Sequence, residues 1–89
     1  MQRKARDVRA TLLEKLGFQL VRKTKHENFE LAVPGLQTVR TRMSHGERDI
    51  GIKLQRLMAR DLRVRLASFG EIVDCTRSRE DYIEELTGG

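Results

Sequence analysis

The sequence predicts a single small α+β domain in which helices cover one face of a three-stranded antiparallel sheet. Apolar residues recur at helical spacing near the N-terminus and again after residue 49, whereas between these segments they alternate with a period of two. The 89 residues are 38% hydrophobic and 35% charged, which suffices for one modest core and leaves no room for a second. The predicted order is α-β-β-β-α followed by a short helical extension.

The first helix is predicted over residues 7–16. Its apolar positions share one face and are Val8, Leu12, Leu13 and Leu16. Asp7 can cap the N-terminal end, and Gly17 can end the helix by adopting the left-handed conformation. The period of the pattern then changes from helical to alternating.

Three strands are predicted over residues 18–23, 28–33 and 38–43. The positions of the last two strands that share the inner face are Phe29, Leu31, Val33, Val39, Thr41 and Met43. A polar turn at residues 24–27 and the Pro34-Gly35 pair separate the strands. The result is an antiparallel meander with one face against the helices and the other in water.

A second helix is predicted after the strands, with Asp49 as its N-cap. Its apolar face carries Ile50, Leu54, Leu57, Met58 and Leu62, and its basic flank carries Lys53, Arg56, Arg60 and Arg63. This order of one helix, three strands and one helix resembles the arrangement of double-stranded-RNA-binding domains.

Residues 1–65 are expected to form this core, and residues 66–89 to form an acidic helical extension packed on the same domain. Apolar residues from Leu66 onward predict a short amphipathic helix that Gly70 interrupts. Ser78 and Asp81 have the spacing of a capping box before a last helix.

Charge is distributed unevenly along the chain. Residues 1–65 hold 16 Lys and Arg against 7 Asp and Glu, a net charge of +9, whereas residues 66–89 hold 2 against 6, a net charge of −4. A body this basic attracts polyphosphates such as RNA over several ångströms. An ordinary solvated surface explains the same charge, so charge alone does not decide the partner.

Several classes of protein are excluded. No stretch approaches the roughly 20 apolar residues of a membrane-spanning helix, and the basic start lacks the apolar block of a secretory signal. The single cysteine, Cys75, excludes an internal disulfide and fits a reducing compartment. A cytoplasmic protein without a membrane contact is therefore expected. Because P-loop, HExxH and CxxC motifs are absent from the sequence, no cofactor or metal site is predicted.

His26 is the residue around which chemistry is predicted. If the second strand is continuous, His26 and Glu30 lie on the open face of the sheet, together with Arg40 and Arg42 of the next strand. Imidazole can transfer protons near neutral pH, and guanidinium groups bind phosphate and stabilise its developing charge. This set suits metal-independent cleavage of RNA, with the ribose 2′-OH as the attacking nucleophile.

Two other interpretations stay open. The same surface can serve a non-catalytic RNA-binding module, or a protein-interaction domain whose basic body meets an acidic partner. His45, in the loop after the third strand, is either a secondary site residue or a residue that caps the following helix.

Several short segments occur in an order known from one protein family. Residues 12–18 have the sequence LLEKLGF, residues 22–26 RKTKH and residues 41–46 TRMSHG, and a helix is predicted over residues 49–62. These segments resemble the LLxxxGF opening, the turn with the catalytic histidine, the third strand with its loop, and the second helix of the HicA-like toxins of bacterial type II toxin–antitoxin systems. The resemblance covers the order of elements from about residue 8 to residue 64.

The resemblance implies a ribonuclease that cleaves messenger RNA without a metal or cofactor and is neutralised by a HicB-like antitoxin. His26 would be its catalytic general base or acid. Phosphate contacts are expected from Lys23, Lys25, Arg40 and Arg42, and contacts that track the RNA from Lys53 and Arg56. Where the family commonly has Gly followed by Ser or Thr before the histidine, this chain has Thr24-Lys25.

Overall fold

The protein is described from a computed structural model over residues 2–23, 25–44, 46, 48–74 and 77–88. In chain order its elements are β1 (Arg3–Lys4), α1 (Ala5–Ala10), a π-helical turn (Thr11–Lys15), β2 (Gln19–Lys23), β3 (His26–Leu31), β4 (Val39–Ser44), β5 (Asp49–Ile50), α2 (Ile52–Asp61), α3 (Leu66–Val73) and α4 (Arg79–Leu86). β2, β3 and β4 form one antiparallel sheet in that order, and β1 pairs with β5 in a separate two-stranded sheet. The predicted α+β class with a three-stranded antiparallel sheet is confirmed.

The first helix begins earlier than the sequence predicts. It starts at Ala5 with Lys4 at the N-cap, so Asp7 lies within the first turn, where its negative charge still favours the helix dipole. The last turn widens, because the N–H of Leu16 donates to the carbonyl of Thr11, five residues back, at 2.9 Å. Gly17 ends the helix with a φ of +83°, as predicted.

The prediction that Asp49 caps the second helix is wrong. Asp49 and Ile50 form β5 and pair with Lys4 and Arg3, and the helix begins at Ile52 with Gly51 at its N-cap. Because the backbone of these two residues pairs with the N-terminal strand β1, the helix begins only after them. Leu57, which was predicted to lie on the buried face of the helix, is 52% exposed.

The core lies between the helices and one face of the three-stranded sheet. The helices and the strands β3, β4 and β5 contribute side chains that are fully buried or nearly so. They include Val8, Leu12 and Leu16 from the first helix, Phe29, Leu31, Val39 and Met43 from the sheet, Met58 and Leu62 from α2 and its C-terminal end, and Phe69, Ile72 and Tyr82 from the extension. The extension therefore shares one continuous apolar cluster with the rest of the chain.

Polar contacts fix the last helix in place. The hydroxyl of Tyr82 donates to the carbonyl of Leu62 at 3.2 Å, and burial raises the pKa of this phenol. Ser78 and Asp81 form the predicted capping box, in which each side chain accepts a hydrogen bond from the other residue's backbone N–H at 3.1 Å. The hydrogen bonds from Ser78 lower the pKa of Asp81.

The prediction that Gly70 interrupts the helix is wrong. Gly70 lies buried inside α3. A Cβ at this position would be 2.7 Å from the Nη2 atom of Arg3. The guanidinium of Arg3 occupies that space, where it donates to Gln55 at 3.2 Å and forms an ion pair with Asp74 at 2.6 Å. One N-terminal arginine thus connects β1, α2 and the end of α3.

Replacing Phe69 by Ala tests whether the extension belongs to the core. Loss of a fully buried phenyl ring is expected to lower the free energy of unfolding by about 3–5 kcal/mol. Leu57→Ala is the control, because it removes an exposed aliphatic side chain and is expected to change stability by less than about 0.5 kcal/mol. Chemical denaturation followed by circular dichroism measures both variants. A Phe69→Ala protein as stable as the wild type would show that the extension is not packed on the core.

Candidate nucleic-acid interface

The three-stranded sheet has one buried and one open face. In β3 and β4 the buried positions, such as Phe29 and Thr41, alternate with more exposed ones. The register pairs His26 with Ser44, Asn28 with Arg42, and Glu30 with Arg40. Residues paired across an antiparallel ladder project from the same face, so these six side chains share the open face. We call these six residues the open-face row.

β2 adds an arginine that the sequence did not single out. The ladder between β2 and β3 shifts register between Leu20 and Arg22, and this β-bulge sets Arg22 opposite Asn28. The backbone of Lys23 pairs with that of Glu27, and the Lys23 side chain lies outside the described part of the structure. No signal in the sequence marks this bulge.

Spacing along the strand separates the open-face row into two ends. His26 and Glu30 are four residues apart on β3, a distance of about 13 Å at 3.3 Å per residue. Glu30 is therefore too far from His26 to act on the same phosphate. Its carboxylate instead pairs with Arg40, whose Nε atom is 3.1 Å away. Arg42 on β4 and Arg22 on β2 both flank Asn28, so the register puts each of them one diagonal position from His26, where Cβ atoms are roughly 7 Å apart.

His26 is half-buried at the start of β3. Its carbonyl accepts a hydrogen bond from the Nδ2 atom of Asn28 at 3.3 Å, and Lys25 just before it is exposed. The ring thus lies at the end of the sheet, beside an exposed cation. His45, the secondary site residue of the prediction, and Thr24, which precedes Lys25, lie outside the described residues.

A groove runs between the edge strand β4 and helix α2. It has a volume of about 370 Å³ and is lined by Asn28, Arg40, Thr41, Arg42, Leu54, Leu57, Arg60 and Asp61. The hydroxyl of Thr41 donates to Asp61 at 3.0 Å and ties the strand to the helix. The groove is continuous with the open-face row, because Asn28, Arg40 and Arg42 belong to both.

Lys53 and Arg56, the helix residues predicted to contact RNA, are exposed but do not line this groove. They share a helical stripe with Arg60, at spacings of three and four residues. Arg60 is thus the member of the stripe that meets the sheet. The sequence predicts Arg60 on the basic flank of the helix but does not distinguish it from its neighbours there.

An ion pair under the sheet supports the end that carries His26. Glu27 follows His26 in β3 and points to the buried side, where its side chain is 4% exposed. Its Oε1 atom lies 2.7 Å from Nη2 and 2.9 Å from Nε of Arg9, in α1. A charge this deeply buried is stable only when it is paired, so the contact holds the start of β3 against the helix.

The interface has no Phe or Tyr ring among its described residues. All four aromatic side chains of the sequence, Phe18, Phe29, Phe69 and Tyr82, are buried. Within the described ranges, no three His, Cys, Asp or Glu side chains are grouped so that they could hold a metal ion, and no helix is long and apolar enough to cross a membrane.

Comparison with known proteins finds no match for this chain. No protein-family model matches the chain, no curated protein is similar to it, and no solved structure matches its fold. The geometry of the interface and the motifs of the sequence are therefore the basis for a function.

Replacing Arg9 by Met and Glu27 by Gln, singly and together, tests the tie under His26. Each single change removes one partner of a largely buried pair, so their effects on the free energy of unfolding are expected to be non-additive by about 2 kcal/mol. Chemical denaturation of the three variants and the wild type gives this coupling energy. Arg6→Met, which alters a well-exposed arginine of the same helix, is the control. Strictly additive effects would show that the pair does not anchor β3.

Proposed function

We propose that the protein is a ribonuclease of the HicA-like toxin class, which cleaves messenger RNA without a metal or a cofactor. The observation that supports the proposal is the register between β3 and β4, in which His26 and Arg42 are diagonal neighbours on an open and basic sheet face. A proton-transfer group beside a phosphate-binding group is the minimum that cleavage by the ribose 2′-OH requires. The sequence segments that resemble the HicA-like toxins give independent support.

In the proposed reaction His26 acts first as general base and accepts the proton of a ribose 2′-OH. The 2′ oxygen bonds to the adjoining phosphorus, and the bond from phosphorus to the 5′ oxygen of the next nucleotide breaks. That oxygen leaves with a proton from the imidazolium of His26 or from water. Arg42 stabilises the negative charge that grows on the phosphate oxygens.

Recognition of RNA is proposed to depend on its phosphates. Proteins that read single-stranded RNA commonly stack its bases on exposed aromatic rings, and here every Phe and Tyr ring is in the core. The exposed cations of the interface are Arg22, Lys25, Arg40, Arg42, Lys53, Arg56 and Arg60. Binding through such groups depends strongly on salt and weakly on base sequence.

The proposal extends to fold and partner. The order of one helix, three strands and one helix supports a core of the double-stranded-RNA-binding-domain type. A cytoplasmic toxin of this class is held inactive by a HicB-like antitoxin. An antitoxin that covers His26 would meet a strongly basic face, which an acidic surface complements.

Cleavage of single-stranded RNA in the presence of EDTA tests the enzyme directly. The wild type is expected to produce fragments, and His26→Ala to slow their formation by about 10²–10⁴-fold, because the proton-transfer group is lost. Gel analysis of a labelled RNA measures the rate, and a thermal melt confirms that the variant is folded. Salt-sensitive binding without fragments would replace the enzyme by the non-catalytic RNA-binding module.

Two substitutions in the open-face row test the phosphate contacts, one that removes a positive charge and one that removes a negative charge. Arg42→Gln is expected to weaken RNA binding and to reduce the slope of log K against log salt by about 0.7, the value for one phosphate contact on a single strand. Glu30→Gln is expected to strengthen binding, because it removes a negative charge and releases Arg40 from its ion pair. Fluorescence anisotropy over a salt series measures both. A change of the same sign in both variants would argue against RNA on this face.

A protein-interaction domain is the second candidate, and one observation favours it. Leu57 and Ile52 of α2 are 52% and 38% exposed, and Leu57 lies in the groove beside Arg42 and Arg60. Aliphatic side chains among cations suit a protein partner with both apolar and acidic residues better than they suit phosphates. Failure of the wild type to bind RNA at low salt would leave this candidate alone.

A further inference from the structure

A second basic cluster lies near the end of the sheet that carries His26, on the side of the sheet that faces the helices. Lys4, Arg6, Arg9, Arg48 and Asp49 line a surface pocket of about 420 Å³. Four cations meet one carboxylate there. We call these five residues the N-terminal basic pocket.

Folding brings this pocket together from two distant segments. Lys4 pairs with Asp49 in the ladder between β1 and β5, and the N–H of Ala5 donates to the carbonyl of Arg48 at 2.8 Å. These contacts join residues that are more than forty positions apart in the sequence. Neither segment has a pattern that would mark it as a binding site by itself.

The cations of the pocket differ in how far they are already engaged. Arg9 is bound to Glu27, and Arg6 makes a long contact of 3.9 Å with Asp7 at an exposed position. Lys4 and Arg48 are exposed and form no ion pair within the described ranges. Asp49 faces the pocket and offsets part of its positive charge. The balance still favours an anion.

The pocket adjoins the candidate catalytic residue through two connections. Arg9 contacts Glu27, the residue after His26. Ser44, which is opposite His26, is only four residues before Arg48. The N-terminal basic pocket therefore lies on the helix side of the end of the sheet at which the open-face row begins with His26.

We propose that the N-terminal basic pocket is a second phosphate subsite for RNA, which holds the strand after it passes His26. The inference depends on the proposed function and deepens it, because it assigns a path to the substrate. RNA that covers only the open-face row does not reach the pocket, whereas a longer strand contacts both. Phosphates on both sides of His26 fix the strand across the imidazole.

The test compares the RNA affinity of the double variant Arg6→Gln/Arg48→Gln with that of the wild type. Two single-stranded RNAs are used, one of about 4 and one of about 16 nucleotides, which are the limits of the site sizes of common single-strand-binding folds. Both RNAs carry 2′-O-methyl groups so that they cannot be cleaved. The double variant is expected to bind the long RNA about 10–30-fold more weakly at 0.1 M salt, with a salt slope lower by about 1.4, as two lost phosphate contacts require. Its affinity for the short RNA is expected to stay that of the wild type.

Arg65→Gln/Arg79→Gln is the matched control, because it removes two exposed arginines, one just before the extension and one at the start of α4. The control is expected to bind both RNAs as the wild type does. An equal loss in control and test variants, or no loss on the long RNA, overturns the second subsite while wild-type binding keeps the proposed function. A wild type that binds neither RNA overturns both.

Discussion

The interface depends on a single constraint, which is that this chain buries only one face of its three-stranded sheet. Phe29, Leu31 and Val39 project into the core, so the residues between them project to the other side. The exposure of Arg40 and Arg42 is thus a direct consequence of core packing. A slip of one residue in either strand would exchange the two faces, and the free energy of burying the apolar set prevents it.

The N-terminal segment contributes more to the architecture than its sequence suggests. Arg3 lies against Gly70 and reaches Gln55 and Asp74, while Arg9 holds the buried Glu27. Both arginines use part of the positive charge of the chain for structure. The charge left for a ligand is smaller than the composition indicates, and it is concentrated on the sheet face, on α2 and in the N-terminal basic pocket.

Sequence periodicity predicted the elements whose side chains alternate or repeat without interruption. The alternation of β3 and β4 and the end of the first helix at Gly17 are of this kind, since each is decided by residues close together in the chain. The prediction was wrong where a distant segment decides the outcome. Asp49 belongs to a strand because Lys4 pairs with it.

The same distinction applies to the candidate site. His26, Glu30, Arg40 and Arg42 could be assigned to one face from parity alone. Arg22 could not, because the bulge that turns it to that face depends on how β2 fits its neighbour. The convergence of Arg6 and Arg48 likewise follows from long-range pairing that no local pattern encodes.

The acidic extension places its negative charge at one end of the three-stranded sheet. α4 lies beside residues 32–34, just after the end of β3 that is opposite to His26, and it brings Glu80 and Glu84 there. Because Phe69 and Tyr82 are buried in the common core, this negative charge cannot move away without unfolding. The extension therefore places carboxylates at the end of the sheet opposite to His26, in addition to completing the core.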